Sequence, residues 1–347
     1  MFKIRLQRVA RSLLLVAGAS VLAWASKGVA DSLPSEELGA LKKQYTRPAA
    51  VPAPDDNPIT PAKVELGRKL FFDPRISGSG VISCGSCHNP SLGWEDGLAF
   101  GVGHGGGKLG RHTPTILNVA WGGPYFWDGR AATLEDQAKG PIESPAEMNM
   151  SHGDAVARVK GIAGYQAAFA QVFPNEGVTI DTVAKAIATY ERTVVSGEAP
   201  FDRWINGDED AISEKAKRGF VLFNTKANCA VCHTGWRFTD DGFHDIGISG
   251  TDEGRAKVAP RIEQLRFAFK TPTLRNIADR APYLHDGSAR TLEAVVDLYN
   301  NPTLERGSRS TEVKPLGLTA EEKGELVAFL KTLSSEDPPQ PFPNLPK

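Results

Sequence analysis

The sequence has no excess of basic residues and no long apolar run after residue 30. Its 40 basic and 41 acidic residues give a formal net charge of −1, which does not favour binding to nucleic acid. No segment beyond the N-terminus reaches the roughly 20 apolar residues that a membrane span needs. Strand patterns are scarce, and there are only four cysteines and three methionines. These absences favour a soluble, mostly helical protein.

The N-terminus has the pattern of an export signal. Residues 1–30 carry five basic residues and no acidic ones, and small residues suited to cleavage after Ala25 or Ala30 follow the apolar run LLLVAGASVLAWA. An uncleaved membrane anchor is the alternative, but the run is shorter than a span of about 20 residues. Cleavage removes the five positive charges and takes the net charge from −1 to −6. We therefore expect a periplasmic, mildly acidic protein.

The four cysteines form two copies of one motif, C-x-x-C-H, at residues 84–88 and 229–233. This motif is the attachment signal for c-type haem, in which two thiols bond to the porphyrin and the adjacent histidine ligates the iron. The sequence therefore predicts two covalently bound haem c groups. The expected attachment and ligand residues are Cys84, Cys87 and His88 for the first haem, and Cys229, Cys232 and His233 for the second.

Other roles of paired cysteines fit this sequence less well. A zinc site built from two C-x-x-C pairs normally uses a much shorter spacing than the 145 residues between Cys84 and Cys229. A thioredoxin-type redox pair needs a βαβ pattern, which the sequence lacks. Disulfide bonds, common in exported proteins, would not explain the histidine after each pair.

A helix with the same pattern precedes each haem motif. Each helix carries a glycine followed by two apolar residues at the third and fourth positions, and we expect the glycine to let a second helix approach closely. The two segments are AKVELGRKLFFD, with Gly67, and EKAKRGFVLFN, with Gly219. Two later segments, TIDTVAKAIATYERTVVS and TAEEKGELVAFLKTLSS, also have helical periodicity. The apolar face of the last one is expected to pack on its haem: Leu326, Phe329, Leu330 and Leu333.

The chain is therefore predicted to be mostly α, a tandem of two cytochrome c-like haem domains. After the signal peptide, residues 1–30, a Pro-rich lead covers residues 31–60. The N-terminal domain is expected over residues 61–200 and the C-terminal domain over residues 201–347. A polar, turn-rich stretch near residues 196–213 separates them, and the PPQPFPNLP tail is expected to be extended.

A 29-residue segment occurs twice in the chain. Residues 113–141 and 271–299 align without a gap and share T-P-T, an Asn, P-Y, D-G and T-L-E. Their last aligned pair is Pro141 and Tyr299, which occupy equivalent places relative to their haems if the copies fold alike. Proline offers iron no side-chain donor, whereas tyrosine can ligate it as a phenolate. One haem is thus expected to be open and the other closed.

The scarcity of methionine supports Tyr299 as a ligand. Methionine is the usual second ligand of an electron-transfer cytochrome c, but this chain has only Met1, Met148 and Met150, and none lies in the second half. A phenolate is a hard anionic donor that favours Fe(III) and higher states. The alternative for Tyr299 is a buried aromatic that packs on its own helix.

Polar residues near Pro141 suit an open haem. Gln137 lies one helical turn before Pro141, and Glu147 lies six residues after it. A carboxylate beside bound peroxide can move a proton from the inner to the outer oxygen, and an amide can hydrogen-bond the bound oxygen. Ordinary surface polarity is the alternative for both. Trp127 aligns with His285, and an indole between two haems can relay electrons, although the sequence alone favours core packing.

These motifs resemble the bacterial di-haem cytochrome c peroxidase family and its MauG branch, over nearly the whole mature chain. The matching stretches include LGRKLFFDPRIS, FWDGRA, PFDRW and APYLHDGS. The resemblance implies a peroxidatic haem in the N-terminal domain, with Gln137 and Glu147 as its amide and acid and Trp127 between the haems. Ordinary peroxidases carry methionine at Tyr299, the ligand position of the C-terminal electron-transfer haem. MauG-like members carry tyrosine there and store two oxidising equivalents across both irons.

Two histidines depart from the MauG-like pattern. His104, in GVGHGGGKLGRHTPT, falls where classical peroxidases carry a histidine that blocks the peroxide haem until the other haem is reduced, so it is a candidate iron ligand. A solvated loop histidine is the alternative. His112 stands where the family often has an Asn that helps bind Ca²⁺ between the domains. Calcium prefers oxygen ligands, so this ion is in question, although carbonyls near Arg280 and Pro282 can still contribute.

Three functions follow from these features. The first is a MauG-like oxidase, in which hydrogen peroxide produces a high-valent di-haem state that oxidises a side chain of a protein partner. The second is a classical peroxidase that reduces hydrogen peroxide with electrons from a small cytochrome or copper protein. The third is a non-enzymatic electron carrier, which Pro141 disfavours unless His104 closes that haem permanently. Tyr299 favours the first function over the second, because a phenolate-bound haem is hard to reduce.

Overall fold

The helix before the first haem motif begins where its capping signals predict. In the computed structural model, which describes residues 33–338 and 340–347, this helix spans Pro61–Phe72. Thr60 is its N-cap, and the hydroxyl of Thr60 accepts a hydrogen bond from the backbone N–H of Lys63 at 3.4 Å. Pro61 takes the first helical position, where its missing N–H has no cost. The predicted signal peptide lies outside the described residues.

The described part of the chain contains eleven α-helices and one short antiparallel sheet, which confirms the mostly α prediction. The sheet pairs β1 (Phe243–His244) with β2 (Phe269–Lys270), with Phe243 opposite Lys270. No helix in these residues is long and apolar enough to cross a membrane. The helices are α1 (Ser35–Lys43), α2 (Pro61–Phe72), α3 (Cys84–Cys87), α4 (Leu134–Glu143), α5 (His152–Lys160), α6 (Ala163–Val172), α7 (Ile180–Arg192), α8 (Pro200–Ile205), α9 (Glu214–Asn224), α10 (Leu292–Asn300) and α11 (Ala320–Lys331).

Both predicted glycine contacts between helices are present. In the N-terminal half α2 packs on α7, and a Cβ atom added at Gly67 would overlap the carbonyl oxygen of Ala186. In the C-terminal half α9 packs on α11, and a Cβ atom at Gly219 would overlap the carbonyl oxygen of Glu325. Only glycine therefore allows the backbones to approach this closely. Both halves therefore use a glycine to bring two helices into close contact.

Each half has its own apolar core. Leu70, Phe71 and Phe169 are almost fully buried in the N-terminal half. Aromatic rings dominate the C-terminal half, where the ring centroids of Phe220 and Phe329 lie 5.5 Å apart in an edge arrangement, a geometry that aromatic pairs prefer. The predicted apolar face is buried in full: Leu326, Phe329 and Leu330 lie on α11, and Leu333 lies just after its end.

The two copies of the repeated segment fold alike. Asn118 and Asn276, which are equivalent, both adopt the left-handed backbone conformation, with φ of 60° and 55°. Each copy then begins a helix after a capping threonine. The hydroxyl of Thr133 caps α4, and the hydroxyl of Thr291 caps α10. The copies therefore place equivalent residues at equivalent points of their helices.

The copies also contact each other reciprocally. The backbone N–H of His112, just before the first copy, donates to the carbonyl oxygen of His285 in the second copy, at 2.8 Å. The backbone N–H of Lys270, the equivalent of His112, donates to the carbonyl oxygen of Trp127, the equivalent of His285, also at 2.8 Å. Equivalent positions of the two copies therefore exchange equivalent backbone hydrogen bonds.

Each end of the described chain packs on the opposite half. The ring of Tyr45, after α1, stacks on Phe238 at 4.8 Å, and its hydroxyl donates to the side chain of Asn224 at 2.6 Å. At the other end, Arg75 donates to the carbonyl oxygen of Pro346 at 2.9 Å. The tail has no helix or strand over its described residues, as predicted.

Candidate haem cavity

A cavity of about 1010 Å³ is lined by residues of both halves. This volume is at the upper end of the range for ligand pockets, roughly 300–1,000 Å³. The cavity brings together most of the site residues predicted from the sequence: Cys84, Cys87, His88, Trp127, Gln137, Pro141, Glu147, Cys229, Cys232, His233 and Tyr299.

The histidines of the two motifs have the same geometry. The Nδ1–H of His88 donates to the carbonyl oxygen of Trp94 at 3.2 Å, and the Nδ1–H of His233 donates to the carbonyl oxygen of Phe238 at 2.9 Å. Trp94 and Phe238 both adopt left-handed conformations. Burial lowers the pKa of both imidazoles, which favours the neutral form. Each Nε2 therefore keeps a free lone pair, as an iron ligand requires.

The four cysteines line the same cavity, and no two of them form a disulfide bond. Burial raises the pKa of Cys87 to about 11 and that of Cys229 to about 12, so both are protonated at neutral pH. Pairs of thiols, each followed by a histidine with a free Nε2, are the donor set that haem c requires. The residues present therefore fit two haem c groups.

Pro141 and Tyr299 occupy equivalent places on the cavity wall. Both are the eighth residue of a threonine-capped helix, in α4 and α10 respectively, and both line the cavity. Burial raises the pKa of Tyr299 far above its ordinary value, and the thiols of Cys229 and Cys232 add to the shift. The phenol is neutral in the chain alone, so a phenolate requires a cation such as ferric iron beside it.

Gln137 and Glu147 both line the cavity on the side of Pro141. Gln137 lies one turn before Pro141 on α4, and Glu147 follows the end of the helix, where its backbone N–H bonds the carbonyl oxygen of Ser144 at 3.0 Å. The neighbouring Met148 and Met150 are both buried in the N-terminal core, and Met148 also lines the cavity.

Trp127 is held between the two copies of the repeat. Its indole N–H donates to the carbonyl oxygen of His112 at 2.8 Å, and its ring lies edge-on to His285, with centroids 6.4 Å apart. Trp127 is 8% exposed and lines the cavity. Trp127 is therefore both packed in the core and in contact with the cavity. The sequence had left core packing and a role between the haems as alternatives.

His104 is not among the described residues that line the cavity. It begins a 3₁₀ turn, and its backbone N–H donates to the carbonyl oxygen of Ala146 at 3.0 Å, which places the turn beside Glu147. Its Nδ1 is buried without a hydrogen-bond partner among the described residues. The geometry brings His104 next to the site but not into it.

Two charged features of the cavity were not predicted from the sequence. Glu191, on α7, lines the cavity, and burial raises its pKa to about 8. In the C-terminal half, Lys270 forms an ion pair with Asp241 at 2.6 Å, and Arg237 contacts the same carboxylate. The sequence pattern of α7 gave no sign that Glu191 is buried. The structure places this acid among buried apolar neighbours.

These features define a class: a helical protein whose two cytochrome c-like halves line one cavity with two c-type haem sites. Comparison with known proteins makes the assignment specific. The family model described as di-haem cytochrome c peroxidase matches residues 61–210, and the one described as cytochrome c matches residues 216–334. The chain belongs to the di-haem cytochrome c peroxidase and MauG family, and it is a di-haem oxidoreductase.

Individual relatives cover most of the chain. It is 52% identical over 314 residues to a methylamine utilization protein MauG from Methylorubrum extorquens, covering 90% of this chain and 89% of that protein. It is 45% identical over 295 residues to the protein of the same name from Methylophilus methylotrophus, covering 84% and 88%. A crystal structure of a MauG-like protein associated with microbial copper homeostasis has a TM-score of 0.77 at 33% identity, covering 84% of this chain and 95% of that one.

Proposed function

We propose that this chain is a periplasmic MauG-like oxidase that uses hydrogen peroxide to oxidise a side chain of a partner protein. The observation that carries the proposal is the pair Pro141 and Tyr299. They take equivalent positions on equivalent helices and line one cavity, yet only Tyr299 has an atom that can ligate iron. This asymmetry leaves one haem side free for peroxide and gives the other a hard, anionic ligand.

In this proposal residues 61–200 and 201–347 each hold one haem c, covalently bound to the two cysteines of that half. The Nε2 atoms of His88 and His233 serve as proximal ligands, because their Nδ1–H groups are fixed by backbone carbonyls. The haem supplies an iron that accepts a peroxide oxygen and passes electrons to it. Tyr299 makes the second haem a poor acceptor from an ordinary small electron donor.

Glu147 and Gln137 handle the proton and the oxygen at the open side. The carboxylate of Glu147 takes a proton from one peroxide oxygen and returns it to the other, so that the O–O bond breaks with water as the leaving group. The amide of Gln137 would donate a hydrogen bond to a peroxide oxygen at the open side. Overall, hydrogen peroxide takes up two electrons and two protons to give two waters, and the electrons come from the partner.

Trp127 provides the route between the two halves. Its indole lies against His285 of the second copy and is oriented by the hydrogen bond to His112. MauG itself carries a tryptophan two residues before its second haem motif, where it contacts its protein substrate, so the same electron route to the same partner is not assumed here. This chain has Ala227 there.

The first test is the addition of stoichiometric hydrogen peroxide to the purified, fully ferric protein. The Soret band is followed over milliseconds to seconds without any reductant. We expect a prompt shift, because Pro141 has no ligating atom and His104 is not among the described residues that line the cavity. Failure to react until one electron is supplied would refute the proposal and favour a reductively activated peroxidase.

A classical peroxidase is the second candidate, because His104 lies beside the segment of Glu147 and has a buried nitrogen without a partner among the described residues. In that case a small cytochrome or copper protein is the electron donor. The His104→Gly variant separates the two cases. If wild type is silent in the ferric state and the variant reacts at once, His104 is a latch and the second candidate is correct.

Tyr299→Phe tests the ligand directly. Removing the phenol oxygen should change the spectrum of the low-spin haem and raise its reduction potential, because a hard anionic donor stabilises Fe(III). Tyr283→Phe, a change of another tyrosine on the cavity wall, is the control and should leave the spectrum as it is. An unchanged spectrum in Tyr299→Phe would exclude the ligand assignment.

A further inference from the structure

His112 is a buried histidine whose two ring nitrogens both face acceptors. Its Nδ1 lies 2.6 Å from the carbonyl oxygen of Leu98, and its Nε2 lies 3.0 Å from a carboxylate oxygen of Glu95. A carbonyl or an ionised carboxylate accepts hydrogen bonds but cannot donate them. Each ring nitrogen must therefore carry a hydrogen, and a ring with both nitrogens protonated is an imidazolium cation.

A guanidinium from the second half completes the cluster. Arg280 donates to the other carboxylate oxygen of Glu95 at 2.5 Å, and also to the carbonyl oxygens of Arg275 and Thr273 at 3.1 and 2.6 Å. The side chains of Glu95, His112 and Arg280 are all buried. The carboxylate thus lies between the imidazole of His112, just before the first copy of the repeat, and the guanidinium of Arg280, in the second copy.

These residues do not fit a calcium ion. Calcium takes roughly six to eight oxygen ligands, and His112 presents a nitrogen where the family often has an amide oxygen. The carboxylate of Glu95 is already bonded to both His112 and Arg280. A divalent ion here would face two positive charges in a buried site, where charges interact strongly.

We propose that a buried imidazolium at His112, and not a calcium ion, joins the two repeats and positions Trp127. The backbone of His112 holds the indole N–H of Trp127 through its carbonyl oxygen and bonds the carbonyl oxygen of His285 through its N–H. His112 is thus a positioning residue, because its side chain fixes the peptide that orients Trp127.

The cluster gives the fold a definite pH dependence. Burial lowers the pKa of His112, but the hydrogen bond and charge of Glu95, the Leu98 carbonyl and the charge of Asp96 together raise it above its ordinary value. The other groups that face the cluster are Arg280 and Tyr283. Because the folded pKa exceeds the unfolded one, the stabilisation is complete below about pH 6.5 and is lost as the pH rises through the folded pKa.

Metal analysis and thermal unfolding of the haem-loaded full chain test the proposal. We expect substoichiometric calcium in the purified protein and a melting temperature that EGTA does not change. Raising the pH above neutrality should lower the melting temperature of wild type by about 2–4 °C. One calcium per chain, with a melting temperature that falls when EGTA removes it, would overturn the proposal.

Two variants isolate the side chain. His112→Asn should show a smaller fall of the melting temperature above neutral pH than wild type, with the remainder due to Glu191. His152→Asn, a change of a half-buried histidine at the start of α5, should keep the whole fall. If His112→Asn does not fold, Glu95→Gln, which keeps the shape of the acid, should reduce the same pH dependence. Retention of the wild-type profile in the folded variant would refute the imidazolium.

The indole of Trp127 gives a spectroscopic signal that would not change with pH if His112 had only a structural role. The indole hydrogen-bond marker in ultraviolet resonance Raman spectra, isolated by subtraction of a Trp127→Phe variant, should shift across the same pH range in wild type and not in His112→Asn. A marker that stays constant in wild type would contradict the positioning role. These tests do not use peroxide, so their outcome is independent of the proposed function. Only the relay role of Trp127 rests on that function.

Discussion

Glu191 offers the sharpest test of the electrostatics in the haem cavity. It is 4% exposed, and its Oε2 has no hydrogen-bond partner among the described residues. The adjacent Arg192 does not neutralise it, because that guanidinium donates to Glu135 at 2.7 and 3.0 Å. Burial therefore raises the pKa of Glu191 from 4.5 to about 8. The acid is neutral in the folded chain and ionised in the unfolded chain at pH 7.

The size of the effect follows from this difference in pKa. The folded state binds the extra proton, so stability falls by about 1.4 kcal/mol per pH unit between the two pKa values. Relative to a group that cannot ionise, Glu191 destabilises the fold by at most about 3 kcal/mol at pH 7. The fold carries no penalty from Glu191 below pH 4.5, and the penalty grows as the pH rises to about 8. Glu191→Gln should remove the penalty, because glutamine stays neutral.

The assay is guanidinium unfolding of the haem-loaded protein at pH 5 and pH 8, followed by circular dichroism. We expect Glu191→Gln to match wild type at pH 5 and to be more stable at pH 8. Glu135→Gln is the matched control with the opposite sign. Burial raises the pKa of Glu135, but its bonds to Arg192 and Asn57 lower it below its ordinary value, so this change should destabilise the fold. A Glu191→Gln variant that is less stable at both pH values would refute the reasoning.

Two further predictions concern packing and a buried ion pair. Gly219→Ala should lower the free energy of unfolding by about 1–3 kcal/mol, because the new methyl group overlaps backbone of α11. Gly324→Ala on α11 should be neutral or slightly stabilising, since its Cβ would meet only the flexible end of Lys215, and the same denaturation curves compare both variants. Asp202→Asn should cost about 3–5 kcal/mol, because it leaves the guanidinium of Arg275, 2.9 Å away, buried without its charge partner. Loss of less than about 1 kcal/mol would contradict this expectation and would mean that solvent compensates the charge of Arg275.

The sequence predicted those features that depend on local pattern. Residues 214–224 form a helix at the bounds that the EKAKRGFVLFN segment indicates, and Gly219 packs against a neighbouring backbone as expected. The repeated segment also carried real information, because its internal alignment placed Pro141 and Tyr299 at the same point of two helices. Such features depend on spacing along the chain, which a single sequence contains.

Features that depend on contacts between distant residues could not be predicted. The lead before residue 61 was expected to be a Pro-rich connection, yet it includes α1 and places Tyr45 in the core of the C-terminal half. The tail was expected to be extended, and nothing in its composition indicated that it would bond Arg75 and Gly164 of α6 in the N-terminal half. The cluster of Glu95, His112 and Arg280 joins residues 185 positions apart. No local pattern encodes such a contact.

The internal duplication explains how one fold can give two haem sites different chemistry. The reciprocal bonds of His112 to His285 and of Lys270 to Trp127 bring the two copies together, so their equivalent positions meet at one cavity. In a symmetric dimer of identical chains, each pair of equivalent positions would carry the same residue. A duplication within one chain removes that constraint, because each copy can change alone while the backbone bonds that align them stay the same. Proline at position 141 and tyrosine at position 299 are the difference on which the proposed chemistry depends.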